Sequence, residues 1–187
     1  MHRLFSGAGL LLVLLIPACG SDRKAAVAAL DEVEMSYAVI QEEARKVAPD
    51  QSASIETTLA AARARLDARE HAAVLAGMRE LGPRVKELSD RLPGMRSELE
   101  YTWKSLNSSV PGTLASLRQR LRPANRPPYG TSRQRFDAAR NTLLDLAEDW
   151  DSALVAMSGG RLAEAVSKGE QVKSRAVGLA TGVHEGS

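Results

Sequence analysis

The chain has 187 residues, of which 44% are hydrophobic and 26% charged, and its formal net charge is +2. Only 4% of the residues are aromatic, which argues against a β-sandwich or barrel and against a base-stacking surface for nucleic acid. The charge is too balanced for a DNA-binding domain, the single cysteine excludes an intramolecular disulfide, and three histidines (His2, His71 and His184) leave little for a metal site. We therefore expect one domain with a core of Leu, Ala, Val and Met, and no nucleic-acid partner.

The first residues have the layout of an export signal. Arg3 and the amino terminus supply positive charge, an apolar run follows from Leu10 to Ile16, and the small Ala18 precedes Cys19. This apolar run is too short to span a bilayer permanently. We predict that residues 1–18 are a signal peptide.

The end of this signal, Ile16-Pro17-Ala18-Cys19, resembles the lipobox of bacterial lipoproteins. The resemblance implies that the Cys19 thiol receives a diacylglyceryl group, that the signal is cut before Cys19, and that the new amino end is acylated. Several acyl chains give stable anchoring, because each buried methylene contributes about 0.8 kcal/mol. By the sorting rule of Gram-negative lipoproteins, Gly20 after the cysteine implies the periplasmic face of the outer membrane, or the outer face of the cell membrane in a host with one membrane. The alternatives are a plain signal peptide, an uncleaved anchor, or a lone buried cysteine.

The mature chain shows helical periodicity from Asp22 onward and no convincing strand. We expect a short tether at residues 19–24, a single helical domain at 25–181 and a frayed tail at 182–187. Ser21 or Asp22 is predicted to cap the first helix, and Pro49 to stop it. Its apolar stripe consists of Ala26, Leu30, Val33, Tyr37, Ile40, Ala44 and Val47.

Two further helices are predicted in the first half. Gly82-Pro83 lies inside the third stripe and predicts a kink or break, because proline removes a donor and clashes with the preceding turn. Pro93-Gly94 is predicted to end the unit. The second stripe is Ile55, Leu59, Ala62 and Leu66, and the third is Leu75, Met78, Leu81, Val85, Leu88 and Leu92.

The second half of the chain shows the same succession of apolar helical stripes separated by proline and glycine. Pro111 is predicted to interrupt a helix, with Ser108 or Ser109 capping the next one, and Arg122–Ser132 is predicted to be a loop. Ser132 is predicted to cap a long helix that turns back at Gly159-Gly160. The stripes are Met95, Leu99, Trp103, Leu106 and Val110; Leu114, Leu117 and Leu121; Phe136, Ala139, Leu143, Leu146, Trp150, Leu154 and Met157; and Leu162, Val166, Gly169, Val172, Ala176 and Leu179.

The predicted fold class is all-α, as an antiparallel helical bundle or helical-hairpin stack of five to seven helices. Aligning the two halves 91 residues apart pairs few identical residues, which leaves a duplication open. These pairs include Ala72 with Ala163, Arg84 with Arg175, and Leu88 with Leu179.

Two segments carry further resemblances. The segment Trp150–Val166 resembles the hairpin of a tetratricopeptide-type repeat, although the period-34 recurrence of such arrays is missing. The sequence Ser108–Pro111, the Pro/Gly loop and the G-x-L-x-E-A-V pattern at Gly160–Val166 resemble a loose group of all-helical bacterial lipoproteins and exported proteins. This resemblance implies the fold and the envelope location, and no activity.

Catalytic and metal-binding patterns are missing from the sequence. His71 and His184 do not form a metal-ligand pattern, and a triad of Ser108, His71 and an aspartate lacks a Gly-x-Ser-x-Gly elbow. Gly159-Gly160 is better explained as a helix-ending turn than as a phosphate loop. We therefore expect no cofactor, no metal and no enzymatic activity, unless a cleft converges on Asp145 or Asp149.

One segment concentrates positive charge. No acidic residue occurs between Tyr101 and Phe136. The arginines of this segment have two alternative roles. They either compensate the acidic helix face formed by Asp145, Glu148, Asp149 and Asp151, or they face outward and hold phosphates of lipid headgroups, lipopolysaccharide or an acidic partner. Tyr129 is either a contact residue or packed in the loop. The candidate contact residues are Arg118, Arg120, Arg122, Arg126, Tyr129, Arg133 and Arg135.

The expected function follows from the predicted envelope location and from the missing catalytic and metal-binding patterns. We expect a lipid-anchored envelope lipoprotein that acts as a non-catalytic protein-interaction module or accessory subunit. Its partners would be the membrane, an unidentified envelope protein and anionic lipid headgroups. The alternative is a helical-bundle carrier or sensor of a small ligand or lipid.

Overall fold

The computed structural model describes residues 19–123, 127 and 132–184. These residues form five α-helices and no strand, which confirms the all-α prediction. The predicted signal peptide lies outside the described residues. No described helix combines the length and the apolar character needed to cross a membrane. The helices are α1 (Cys19–Val47), α2 (Pro49–Asp67), α3 (His71–Arg120), α4 (Arg133–Ser158) and α5 (Leu162–His184).

Two hydrophobic cores lie one after the other along α3. The first is enclosed by α1, α2 and the beginning of α3, and the second by the remainder of α3, α4 and α5. The partly buried Leu99 packs against both cores. The helix α3 is therefore the structural element that joins the two bundles.

The pairing of side chains gives the helix directions. Val33 of α1 faces Gly82 of α3, and ten residues further along α1 Glu43 pairs with Arg96, so α1 and α3 run parallel. In the second bundle α5 also runs parallel to α3, while α2 and α4 run antiparallel to it. The end of α1 approaches the beginning of α5, because a Cβ atom on Gly160 would lie 3.8 Å from Lys46 Cε.

The turn between α2 and α3 repeats in the turn between α4 and α5. The backbone amides of Ala68, Arg69 and Glu70 donate to carbonyls of the last turn of α2, and the equivalent bonds recur 91 residues later. Arg69 and Gly160, at matching positions, both have positive φ angles, of 64° and 73°. Buried positions repeat as well: Val74, Met78, Leu81 and Val85 correspond to Ala165, Gly169, Val172 and Ala176. The two halves thus repeat one three-helix arrangement.

The continuity of α3 corrects predictions made at three prolines. Pro93 was expected to end a helix and Pro111 to interrupt one, but both lie inside one helix of 50 residues. Pro83 lies inside the same helix, so no break occurs there, while the kink that was its alternative stays a prediction. Each proline is exposed, so the carbonyl that loses its amide donor lies on the water-accessible side of the helix. Burial of apolar side chains in two cores offsets the cost of about 3 kcal/mol per interior proline.

Several predicted helix ends also differ. Residues 19–24, expected as a tether, belong to α1, so Ser21 and Asp22 lie inside that helix. The hydroxyls of Ser108 and Ser109 do not cap a helix and instead donate to the Ser105 carbonyl at 2.9 and 2.8 Å. The last helix continues to His184, beyond the expected limit of 181.

Other local signals are confirmed. Pro49 follows the end of α1 and begins α2. Ser132 caps α4 by accepting the amide of Arg135 at 3.2 Å. Gly159-Gly160 forms the turn between α4 and α5.

The first bundle contains a partly buried polar network between α1 and α2. The Tyr37 hydroxyl lies 2.6 Å from Ser52 Oγ and donates to Glu56 Oε1 at 3.0 Å. The same carboxylate oxygen accepts from Arg45 at 2.8 Å and from Gln41 at 3.2 Å. These hydrogen bonds, that from Arg45 foremost, lower the pKa of Glu56 to about 2.

The second bundle is held by apolar packing. The rings of Trp103 and Trp150 stack with centroids 5.5 Å apart. Gly169 allows close approach of α5, because a Cβ atom there would lie 3.0 Å from Leu106 Cδ1 and 3.4 Å from Trp150. The predicted core positions of both tryptophans and of Tyr37 and Phe136 are confirmed.

The substitution Pro93→Ala should stabilise the protein. Alanine restores a helical amide donor at an exposed position. The greater conformational freedom of the unfolded chain without proline offsets part of this gain in stability. We expect the free energy of unfolding to rise by about 1–2 kcal/mol, measured by urea denaturation followed by circular dichroism. Ala115→Gly, at an exposed position of the same helix, should lower it by about 1 kcal/mol. A decrease for Pro93→Ala would contradict an intact helix through this residue.

The polar network should make stability depend on pH. Since the folded pKa of Glu56 is about 2 and its usual value is 4.5, its ionised form stabilises the fold above pH 4.5, and this contribution is lost as the pH falls toward 2. Wild type should therefore be more stable than Glu56→Gln at pH 7, and the difference should shrink between pH 4.5 and 2. Urea midpoints across this range measure it, with Glu98→Gln at an exposed position as control. A difference that stayed constant with pH would contradict this role of the Glu56 carboxylate.

Candidate interaction surface

One end of the second bundle carries most of the predicted contact residues. The helix α3 ends at Arg120 and α4 begins at Arg133, and both ends lie at this tip because the two helices are antiparallel. Leu121 and Phe136 are buried and close the core beneath it. Arg126 and Tyr129 lie outside the described residues, so their roles stay predictions. Five exposed arginines, called the arginine end below, are Arg118, Arg120, Arg122, Arg133 and Arg135.

Few carboxylates compensate the arginine end. Arg133 Nε lies 3.3 Å from Asp137 Oδ2, and Arg140 contacts the other oxygen of that carboxylate at 3.4 Å. The guanidinium of Arg133 also lies 5.8 Å from the centre of the Phe136 ring. Among the described residues, no carboxylate forms an ion pair with Arg118, Arg122 or Arg135. The part played by Arg140 was missed in the sequence, although its spacing of three residues from Asp137 signals a helical ion pair.

Helix dipoles do not explain all these arginines. Arg118 and Arg120 occupy the last turn of α3, where positive charge is favourable. Arg133 and Arg135 occupy the first turn of α4, which contains no acidic residue, and positive charge there is unfavourable by about 0.3–1 kcal/mol per residue. Arg133 is offset by its ion pair with Asp137 and by its contact with the Phe136 ring, whereas Arg135 forms no ion pair with a described carboxylate. The stability of α4 therefore gives no reason for the charge of Arg135, and binding of an anion would.

The acidic face of α4 has another partner. Asp149 pairs with Arg175 of α5, and lies about 21 Å along the helix from Arg135, at 1.5 Å per residue. Asp145, Glu148 and Asp151 are exposed. No ion pair in the described part of the chain joins this face to the arginine end. The observed pairing thus favours the outward-facing alternative for the arginines.

The structure does not bring together the residues of a Ser108–His71 triad or a cleft that contains both Asp145 and Asp149. His71 and Ser108 lie at positions 37 residues apart on one continuous helix, a separation of about 55 Å. Asp149 borders a polar cleft of about 330 Å³ with Glu164 and Lys168, and Asp145 does not line it. In this cleft the carboxylate of Glu164 is paired with Arg161 and Lys168. No metal-binding cluster occurs among the described residues.

A second surface feature is a groove between α1 and α3. Its volume is about 580 Å³. Its floor includes Val33, Met78 and Val85, and its rim carries Glu32 and Arg79. In the second bundle, the position equivalent to Met78 is occupied by Gly169, which packs against Leu106. The groove is open to solvent and of a size that suits a small amphiphilic ligand.

The arginine end and Cys19 lie at opposite ends of the molecule. Val33 of α1 faces Gly82 of α3, and the two helices run parallel. Cys19 lies 14 residues before Val33, and His71 lies 11 residues before Gly82, so Cys19 lies level with the beginning of α3. The 50 residues of α3 extend about 75 Å along the helix axis. The two bundles therefore form a rod between the predicted lipid anchor and the arginine end.

Comparisons with known proteins return no match of this chain to a protein-family model, a curated protein or a solved structure. The described residues form a body elongated along α3, with an open groove and a basic end at which Arg118, Arg122 and Arg135 form no ion pair with a described carboxylate.

Proposed function

We propose that this chain is a lipid-anchored envelope lipoprotein that acts as a non-catalytic interaction module or accessory subunit. The observation that carries the proposal is that Cys19 lies level with the beginning of α3 while the arginine end lies at the other end of this helix, about 75 Å away along its axis. An anchored rod of this length keeps its far end at a distance from the bilayer. The lipobox-like Ile16-Pro17-Ala18-Cys19 supports an anchor at Cys19, the first residue of α1.

The sides of the rod provide surface for a protein partner. Met35 and Val39 are 67% and 85% exposed on α1, one helical turn apart. Leu144 and Val155 are 61% and 62% exposed on one face of α4. Apolar residues with this exposure suit the centre of a protein interface. The partner we propose is an envelope protein, on the periplasmic face of the outer membrane or outside a single cell membrane.

The second candidate function is a carrier of a small ligand or lipid, and the groove between α1 and α3 favours it. A ligand held there should stabilise the folded chain by about 2.7 kcal/mol at a concentration one hundred times its dissociation constant. The interaction module predicts instead that the protein is recovered with a protein partner.

The lipid anchor is tested with Cys19→Ser. This substitution removes the only thiol in the chain, so we expect no acylation and no signal cleavage at Cys19. Metabolic labelling with a clickable fatty acid and mass spectrometry of the amino terminus measure both effects. Ser21→Ala, two residues away, should be processed normally. Normal lipidated protein from Cys19→Ser would overturn the proposed anchor.

The interaction module is tested by photo-crosslinking in cells. A photoreactive amino acid at Val39 or Val155 should form a crosslink to one defined envelope protein, because these side chains are exposed and apolar. The same amino acid at the exposed Glu80 is the control. Free monomer in all three cases, together with copurified lipid, would favour the carrier instead.

A further inference from the structure

We propose that the arginine end binds the phosphate-bearing surface of a second membrane, so that the chain connects two bilayers. The inference rests on the proposed anchoring of Cys19 and assigns a partner to the far end of the rod. The contact is electrostatic, between arginine guanidinium groups and the phosphates of anionic lipids.

The geometry separates the arginine end from the anchoring bilayer. The helix α1 begins at Cys19 itself, without an extended segment between them. It runs parallel to α3, and the order of the two cores along α3 directs the second bundle away from the anchor. With the rod upright, the arginine end lies about 75 Å from the first bilayer. At that distance it is several Debye lengths from the charge of its own membrane.

The composition of the arginine end suits phosphate. All five of its cations are arginines, whose planar guanidinium groups form paired hydrogen bonds with phosphate oxygens. Arg118, Arg122 and Arg135 form no ion pair with a carboxylate of the described chain. The charges come from the ends of two helices, and they are spread over a tip: none of them lines a pocket formed by the described residues. Such a spread suits many phosphates on a surface better than one small anion.

A membrane fits this end better than a protein does. A stable protein interface needs a buried apolar centre. Leu121 and Phe136 are buried, and among the described residues of the end no large apolar side chain is exposed. The nearest on α4 is Leu144, about 14 Å beyond Arg135 along the helix. The exposed apolar residues lie on the sides of the rod, where the protein partner is proposed.

Vesicle clustering tests the proposal directly. The chain from Cys19 onward is coupled through its single thiol to maleimide lipid in phosphatidylcholine vesicles, and acceptor vesicles contain phosphatidylcholine with phosphatidylglycerol. We expect clustering, measured by dynamic light scattering and by energy transfer between labelled vesicles. It should be absent with acceptors of pure phosphatidylcholine, and it should be reversed at 1 M salt, where the Debye length is about 3 Å.

A matched pair of variants isolates the arginine end. Each basic residue near an anionic membrane contributes about fivefold to binding. The combined substitution Arg118→Gln, Arg122→Gln and Arg135→Gln should therefore weaken clustering by about one hundredfold. As control, the combination Arg23→Gln, Arg65→Gln and Arg69→Gln removes the same charge near the anchored end and should cluster like wild type. Circular dichroism checks that both variants remain helical.

Three results would overturn the proposal: clustering with pure phosphatidylcholine, equal clustering by both combined variants, or an arginine end that binds an acidic protein and no vesicle. Chemical coupling replaces the cellular acylation of Cys19. A failure of clustering is thus distinguishable from a failure of the anchor, which the Cys19→Ser experiment reports.

Discussion

The continuity of α3 is the constraint on which the rest of the structure depends. Val85 and Leu88 lie in one core and Leu106 and Leu117 in the other, and all four are on the same helix. A break between them would uncouple the bundles and remove the fixed direction from Cys19 to the arginine end. The helix tolerates three prolines because all of them are exposed, while its apolar stripe is buried on both sides of each proline.

The two bundles use the same backbone plan with different chemistry at their centres. In the second, stacked tryptophans and the close approach at Gly169 form an apolar centre. In the first, Tyr37 and Ser52 are buried around the Glu56 carboxylate. A polar network is satisfied in only a few geometries, because each donor needs its acceptor. It therefore fixes the register between α1 and α2, whereas apolar packing fixes the second bundle by shape.

Local signals in the sequence predict most of the helices and some of their ends. The apolar stripes, apart from Leu154, which is exposed, and the Ser132 cap are correct because each depends on spacing within a few residues. The effect of Pro93 could not be predicted in this way, since its cost is local and the compensating burial comes from two separate cores. The charge pattern of the sequence identifies the arginine end, but it does not predict whether these arginines face outward or pair with the acidic face of α4. The partner of Asp149 on that face distinguishes the two alternatives. That partner, Arg175, is 26 residues away in the sequence.

The separation of charge from apolar surface gives the rod two kinds of contact. Long-range electrostatic attraction acts over about 10 Å at moderate salt and needs no fixed partner geometry. Apolar contacts such as those available at Val39 and Val155 act only at close range and need a complementary surface. A rod with charge at its tip and apolar residues on its sides therefore contacts an anionic surface first, in many orientations about its axis. Its sides then remain available to a protein that lies in the space spanned by α3.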